Sequence, residues 1–187
     1  LDERHTNRRT TTVHRGGGVF VQDTSGEPQN YLGPDGRWHP IDLALEPTEP
    51  GSEFALRTAA NDRVVELAGG TGPRLARLAG GGEELVLGSP DLAGTSDAQV
   101  AGDGRRYGQG HRQVEITPTR DGLYFTASFA DPEGPLSVRF TLETRDLVAA
   151  VMPDGAIHLR SEDGDRAPFF IEAPLVVDAE GRTSDAV

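Results

Sequence analysis

The stretch "QVEITPTRDGLYFTASFA", residues 113–130, decides the fold class of this chain. Apolar and polar side chains alternate through its second half, with Leu123, Phe125, Ala127 and Phe129 set against Tyr124, Thr126 and Ser128. A two-residue period places the apolar side chains on one face of a β-strand. The "RDG" between the two runs (120–122) is a hairpin signal. The stretch therefore predicts two antiparallel strands that share one buried face.

The same pattern recurs along the chain. Strand-like runs follow at "LSVRFTLET" (136–144), "LVAAVMP" (147–153), "AIHLRSE" (156–162) and "PFFIEAPLVVDA" (168–179). Asp-Gly pairs stand at Asp35, Asp103, Asp121, Asp154 and Asp163, and the 187 residues include 24 Gly and 13 Pro. Such punctuation favours many short elements over a few long helices. We predict an all-β fold, an antiparallel β-sandwich of many short strands joined by Asp-Gly turns, with little helix.

One earlier stretch is ambiguous. In "FALRTAANDRVVELAGG" (54–70) the apolar residues give a helical stripe, but Asn61-Asp62 between two apolar runs also predicts a hairpin. We favour two strands because the surrounding sequence is strand-like. "PRLARLAGGGEELVLGS" (73–89) repeats the arrangement around a Gly triplet.

Composition shifts suggest how the chain is divided. We expect residues 1–29 to form an N-terminal arm or edge strands, and residues 30–187 to form the β-sandwich module. Any further boundary within the module is expected at "EPTEPGSE" (46–53), and the Gly-, Asp- and Ser-rich residues 89–112 predict a long exposed loop with at most one short strand.

Charge and composition exclude several classes of function. The formal net charge is −12 and the sequence pI is about 4.8, so the chain repels phosphate backbones and nucleic-acid binding is not expected. No apolar run approaches the ~20 residues that a membrane span requires. The chain has no Cys, which excludes disulfides and thiolate metal sites.

The sequence offers no catalytic constellation. The five His lack the spacing of zinc ligands, and no Gly-x-Ser-x-Gly motif is present. We therefore expect a protein that is not an enzyme and needs no cofactor, with a carboxylate-dependent hydrolase as the weaker alternative. Asp163 and Asp165 are weak candidates for calcium ligands, because the rest of a calcium-binding loop is missing around them.

Four aromatic residues are candidates for ligand binding: Tyr31, Trp38, Tyr107 and Tyr124. If three or more of them share one exposed face, they could form a carbohydrate platform. The single Trp follows a Pro-Asp-Gly turn, and we expect it to anchor that hairpin in the sandwich. On that interpretation Trp38→Ala would cost several kcal/mol, as aromatic-to-Ala changes in cores do.

Two stretches carry a family resemblance. "NYLGPDGRWHPIDLAL" (30–45) resembles a Tyr–Asp-Gly–x-Trp–x-x-Ile-Asp–x-x-Leu segment near the start of large secreted bacterial proteins. Those proteins carry Rhs/YD repeats or DNRLRE-type domains and abound in actinobacteria. "ITPTRDGLYFTASF" (116–129) and residues 153–187 are similar to the later part of the same region, whereas "RRYGQGHRQVEI" (105–116) keeps only the outline of the expected segment.

The resemblance implies a non-catalytic, extracellular module. It would cap or connect the repeat region of a polymorphic-toxin-like protein, secreted or at the cell surface. Its partner would be the rest of the parent polypeptide or another protein. The alternative is a carbohydrate-binding or adhesion module with a glycan partner. The resemblance transfers no functional residues.

Overall fold

The computed structural model describes residues 6–15, 20–70, 72–94, 98–108, 110–131, 136–162 and 166–185. Regular structure in these ranges is β-strand, apart from a 3-10 turn at Pro90–Leu92. The strands are β1 (Thr10–His14), β2 (Phe20–Thr24), β3 (Asn30–Leu32), β4 (Trp38–Pro40), β5 (Asp42–Pro47), β6 (Phe54–Ala60), β7 (Val64–Ala68), β8 (Arg74–Gly80), β9 (Glu83–Gly88), β10 (Gln99–Ala101), β11 (Gly104–Tyr107), β12 (Arg112–Pro118), β13 (Leu123–Phe129), β14 (Thr141–Thr144), β15 (Leu147–Val151), β16 (Ile157–Ser161), β17 (Phe169–Ile171), β18 (Leu175–Val177) and β19 (Thr183–Asp185). The predicted all-β fold is confirmed.

Most strands pair with their neighbours in sequence. The largest sheet has six strands in the order β14-β9-β8-β7-β6-β5, the second has four in the order β10-β11-β12-β13, and the third has three in the order β15-β16-β17. The hairpins β1–β2, β3–β4 and β18–β19 are two-stranded sheets. Strand β14 is an exception, because it lies beside β9 although four strands separate them in the chain.

The chain divides into two compact units, residues 1–143 and 144–187. The sequence suggested a division after residue 29 and a further one near 46–53. In the structure residues 48–53 instead connect β5 to β6 inside one sheet.

Hydrogen bonds tie the N-terminal segment to later parts of the first unit. The buried Asn30 side chain donates from Nδ2 to the carbonyl oxygen of Asn7 at 2.9 Å and to Oγ1 of Thr11 at 3.0 Å. The guanidinium group of Arg8 forms an ion pair with the carboxylate of Asp62, in the turn between β6 and β7. A buried amide needs such partners, because leaving it unsatisfied costs about 1–3 kcal/mol.

The core of the first unit lies between its two larger sheets. Cross-strand register places buried aliphatic side chains in two rows across β7, β8 and β9, namely Val65, Leu78 and Leu85, and Leu67, Ala76 and Leu87. Strand β12 buries Val114 and Ile116 on one face. Each fully buried Val, Leu or Ile side chain contributes about 1.5–3 kcal/mol.

The ambiguous residues 54–70 form strands, as favoured from the sequence. Strands β6 and β7 pair in antiparallel register around a turn at Asn61–Arg63. The side-chain oxygen of Asn61 accepts the N–H of Arg63 at 3.3 Å. Asn at this position closes the turn with its own side chain, which a helix would not use.

The long loop expected over residues 89–112 is largely wrong. The segment contains the 3-10 turn and strands β10 and β11, and it buries Leu92 and Tyr107. Strands of three or four residues around a Gly102-Asp103 turn are too short and polar to show as apolar runs.

Candidate functional site

Tyr31 and Trp38 lie on opposite faces of the hairpin β3–β4. In its register Tyr31 stands opposite His39, and Leu32 stands opposite Trp38. The rings of Tyr31 and His39 are 5.6 Å apart between centroids. Trp38 is half-buried, and Leu32 beside it is exposed. Trp38 is therefore less deeply packed than the core anchor expected from the sequence.

Tyr107 is a core residue that links the two larger sheets. Its side chain is 2% exposed, and its hydroxyl donates to the carbonyl oxygens of Ala68 at 3.2 Å and Leu75 at 3.0 Å. Burial raises the pKa of the phenol above its ordinary value. This position leaves the ring no exposed surface for a sugar or another ligand.

Tyr124 is the exposed aromatic side chain of the four. It lies on β13 with 63% of its surface exposed, opposite Thr117 of β12. The neighbouring side chains on that face, Thr126 and Ser128, are also exposed and polar. The four candidate aromatics therefore do not share one exposed face, because one is buried, two lie on opposite faces of one hairpin and Tyr124 belongs to another sheet.

The hairpin that carries Trp38 is closed by a five-residue turn at 33–37. The N–H of Gly33 donates to the carbonyl of Arg37 at 2.8 Å, and the N–H of Gly36, at φ +75°, donates back to Gly33 at 3.0 Å. The carboxylate of Asp35 accepts from Nε2 of His39 at 3.0 Å and from the N–H of Arg37 at 3.1 Å. These hydrogen bonds, that of His39 foremost, hold the pKa of Asp35 below its ordinary value.

The same turn occurs twice more, at 152–156 and 178–182. In each copy the first residue donates its N–H to the fifth carbonyl, and the glycine in fourth place donates back to the first. Gly155 and Gly181 have φ of +87° and +79°. Positive φ is strained for other residues, which explains Gly there.

A row of alternating charges crosses the six-stranded sheet. Glu46, Arg57, Glu66 and Arg77 are register partners on β5, β6, β7 and β8. The guanidinium group of Arg77 bonds to Glu66 at 2.7 Å and to Glu84 at 2.6 Å, and these bonds raise its pKa. Glu66 and Glu84 are therefore held in ion pairs by Arg77, which links neighbouring strands of the sheet.

The acidic groups give no support for a metal site in the described ranges. No group of three or more His, Cys, Asp or Glu side chains is placed to hold a metal ion there. The weak calcium candidates Asp163 and Asp165 lie outside the described residues. The described part of the chain also contains no helix long and apolar enough to cross a membrane.

Exposed aliphatic and aromatic side chains are concentrated in the second unit. They are Val148, Val151, Phe170, Leu175, Val176 and Val177. The first unit is the longer of the two and also has exposed large apolar side chains, namely Val13, Val21, Leu32, Val100, Tyr124 and Leu136. Val13 and Val21 form a cross-strand pair on β1–β2. From the sequence, such runs were expected to lie in the core. One signal was available, because three consecutive apolar residues in a three-residue strand cannot all face one core.

No family model matches this chain, and no curated protein or solved structure is significantly similar to it.

Proposed function

We propose that this chain is a non-catalytic structural and interaction module of a large secreted or surface-delivered bacterial protein. In that protein, of the Rhs/YD-repeat, polymorphic-toxin-like type, it caps or connects the repeat region. The observation that carries the binding role is the set of exposed apolar side chains on β1–β2, β15–β17 and β18–β19. Membership of that family rests on the sequence resemblance.

The exposed apolar residues of the hairpin β18–β19 support a role in binding. Leu175, Val176 and Val177 are all exposed, although their side chains alternate between its two faces. A two-stranded hairpin in water is marginally stable at best. Apolar side chains on both faces therefore favour a surface that is covered when the module is in place. The partner is the rest of the parent polypeptide or another protein.

Charge and composition support the same type of partner. With a net charge of −12 the chain is unsuited to a nucleic-acid partner. The exposed apolar patches carry no charged side chains, so a partner bound there does not contact the acidic surface. Such patches are typical of protein interfaces, whose centres are depleted of charged residues. A secreted or surface location remains part of the proposal and follows from the family resemblance.

Hydrogen exchange tests this proposal. The backbone amides of β18–β19 and β1–β2 are compared in the isolated chain and in the intact parent protein. We expect these hairpins to exchange slowly only in the parent, because covered hairpins open less often. Strands β7 and β8, inside the six-stranded sheet, serve as the control and should be protected in both. Equal exchange of the hairpins in the two samples would refute the proposal.

A carbohydrate-binding or adhesion module is the second candidate, and Tyr124 is the observation in its favour. Its exposed ring lies beside the exposed hydroxyl groups of Thr126 and Ser128 on one face of β13. Aromatic rings offer an apolar face to sugar rings, and neighbouring hydroxyls can bond the sugar hydroxyls. Glycan-array binding that is lost in Tyr124→Ala, and kept in Tyr124→Phe, would favour this candidate. An array without signal would dismiss it.

A further inference from the structure

Strand β15 is an open edge of its three-stranded sheet. The sheet order is β15-β16-β17, so one side of β15 pairs with β16 and the other side has no neighbouring strand in the described part of the chain. An open edge presents unpaired N–H and C=O groups that can bind a further strand. Natural proteins usually protect such edges with charges, proline or a short length. Strand β17, at the other edge, has three residues and directly follows Pro168.

Strand β15 has none of these protections. Its sequence, Leu147-Val-Ala-Ala-Val151, carries no polar side chain. Val151 is 75% exposed, and Ala149 is also exposed. Each copy carries a net charge of −12, and an uncharged edge lets two copies meet without adding a local contact between like charges.

The hairpin turn determines which backbone groups point to the open edge. The N–H of Met152 donates to the carbonyl of Ala156 across the turn. Antiparallel ladders alternate between bonded and non-bonded pairs, so Val148 and Ala150 bond to β16. The N–H and C=O groups of Leu147, Ala149 and Val151 then point away from β16. The carbonyl of Leu147 also accepts the hydroxyl of Thr144 at 3.3 Å, which still leaves it a second lone pair.

Leu147, Ala149 and Val151, whose backbone N–H and C=O groups point to the open edge, are spaced symmetrically about Ala149. Two copies of β15 in antiparallel register, with Ala149 opposite Ala149, place Leu147 of each copy opposite Val151 of the other. Each pair exchanges backbone hydrogen bonds, and Val151 gains an apolar neighbour. On the opposite face Val148 meets Ala150. No charged side chains stand opposite each other within the paired strands.

We propose that two copies of this chain associate through their β15 edges around a two-fold axis at Ala149. The two three-stranded sheets then join into one continuous six-stranded sheet. The pairing involves one five-residue strand from each copy, so the dimer belongs to the small, transient class of interfaces. Dimerisation is therefore expected to depend on protein concentration. This inference is independent of the parent protein proposed above.

Sedimentation velocity on the purified chain over a wide concentration range tests the proposal. The wild-type chain should shift from monomer to dimer as concentration rises. Ala149→Lys and Ala149→Glu each place like charges opposite each other and should weaken the dimer about tenfold or more. Mixing the two variants places Lys opposite Glu and should restore a dimer. Val100→Lys, at an exposed position on the edge strand β10, is the matched control and should dimerise like the wild type.

The sedimentation experiments can either support or overturn the proposed dimer. Loss of the dimer in each single variant, with recovery in the mixture, supports the register at Ala149. A wild-type chain that stays monomeric at its highest attainable concentration overturns the proposal. So does a dimer that Ala149→Lys leaves unchanged, or a mixture that fails to recover. Ala149→Pro gives a second check, because it removes an N–H that β16 does not use and should abolish the dimer while the melting temperature stays close to that of the wild type.

Discussion

Tyr107 joins the two larger sheets of the first unit through one hydroxyl group. The hydroxyl reaches two carbonyl oxygens of the facing six-stranded sheet, those of Ala68 in β7 and Leu75 in β8. Buried backbone carbonyls need hydrogen-bond partners, and this side chain supplies them where the two sheets meet. At this position Tyr differs from Phe by its hydrogen bonds and hardly at all by its packing.

Tyr107→Phe should therefore destabilise the protein while leaving its fold unchanged. We expect a loss of about 1–3 kcal/mol, because the carbonyl of Leu75 loses this donor in a site that excludes water, whereas the carbonyl of Ala68 still accepts from the guanidinium group of Arg105. Urea unfolding followed by circular dichroism measures the change. Tyr124→Phe is the matched control, because its side chain is exposed, and it should lie within about 0.5 kcal/mol of the wild type. Equal stability of the two variants would contradict the assigned role.

The burial of individual aromatic residues was only partly predictable from the sequence. Alternation in β13 correctly predicted that Tyr124 faces away from Phe125, and the burial pattern of that strand alternates throughout. Alternation does not tell which of the two faces another sheet covers. Tyr107 stands in a short polar strand without alternating apolar residues. No sequence pattern therefore predicted its burial or its hydrogen-bond partners.

The recurring five-residue turn closes three of the hairpins, β3–β4, β15–β16 and β18–β19. A type I turn followed by a glycine at positive φ matches the right-handed twist of paired strands. The copies at 33–37 and 152–156 also use an aspartate in third place, whose carboxylate accepts the N–H of the fifth residue. In the first copy His39 adds a further bond to that carboxylate.

The hairpin β3–β4 should consequently open in acid. Because the pKa of Asp35 is lowered in the folded hairpin, its stabilising effect is present above the ordinary Asp pKa and is lost as pH falls through the lowered value. Trp38 is the only Trp and lies in this hairpin, so its emission reports the opening. We expect a red shift in acid that Asp35→Asn reduces.

Asp178→Asn is the control for the acid experiment. Asp178 has a lowered pKa in the equivalent turn at 178–182, chiefly through the N–H of Arg182. Its replacement should leave the pH response of Trp38 unchanged. A response of Trp38 that is the same in both variants and in the wild type would show that Asp35 does not hold the hairpin closed.

Strand positions were largely predictable, because period-two alternation and Asp-Gly pairs are local signals. Strands β12 and β13 lie where the alternation placed them, and the turns at Asp35 and Asp154 occur as expected. Residues 89–112 show the limit of such signals. Strands β10 and β11 are three and four residues long, and their pairing depends on β12, which lies later in the chain.

Exposed apolar surface is distributed unevenly between the two units. The first unit buries two rows of aliphatic side chains between its sheets, whereas the second unit exposes Phe170 and all three residues of β18. Composition did not distinguish these uses, since an apolar run has the same composition whether another part of the chain or a partner covers it. The three consecutive apolar residues of β18 were the one signal of exposure.

Dye binding should report this exposed surface. We expect Phe170→Ser and Val176→Ser to lower the fluorescence of an apolar dye such as ANS, with little change in melting temperature, because both side chains are exposed. Leu159→Ala is the contrasting control. Its side chain is buried, so it should cost about 2–5 kcal/mol. Unchanged dye binding in both serine variants would place the apolar surface elsewhere.

The position of β14 imposes an order of events on synthesis. Strands β5 to β9 can pair one after another as they leave the ribosome, since each neighbour is adjacent in the chain. The sixth place in that sheet, beside β9, is filled only after β10 to β13 have been made. Until then the edge of β9 can pair with a strand of another chain, and a truncated chain released with its end between residues 88 and 141 would be prone to aggregate.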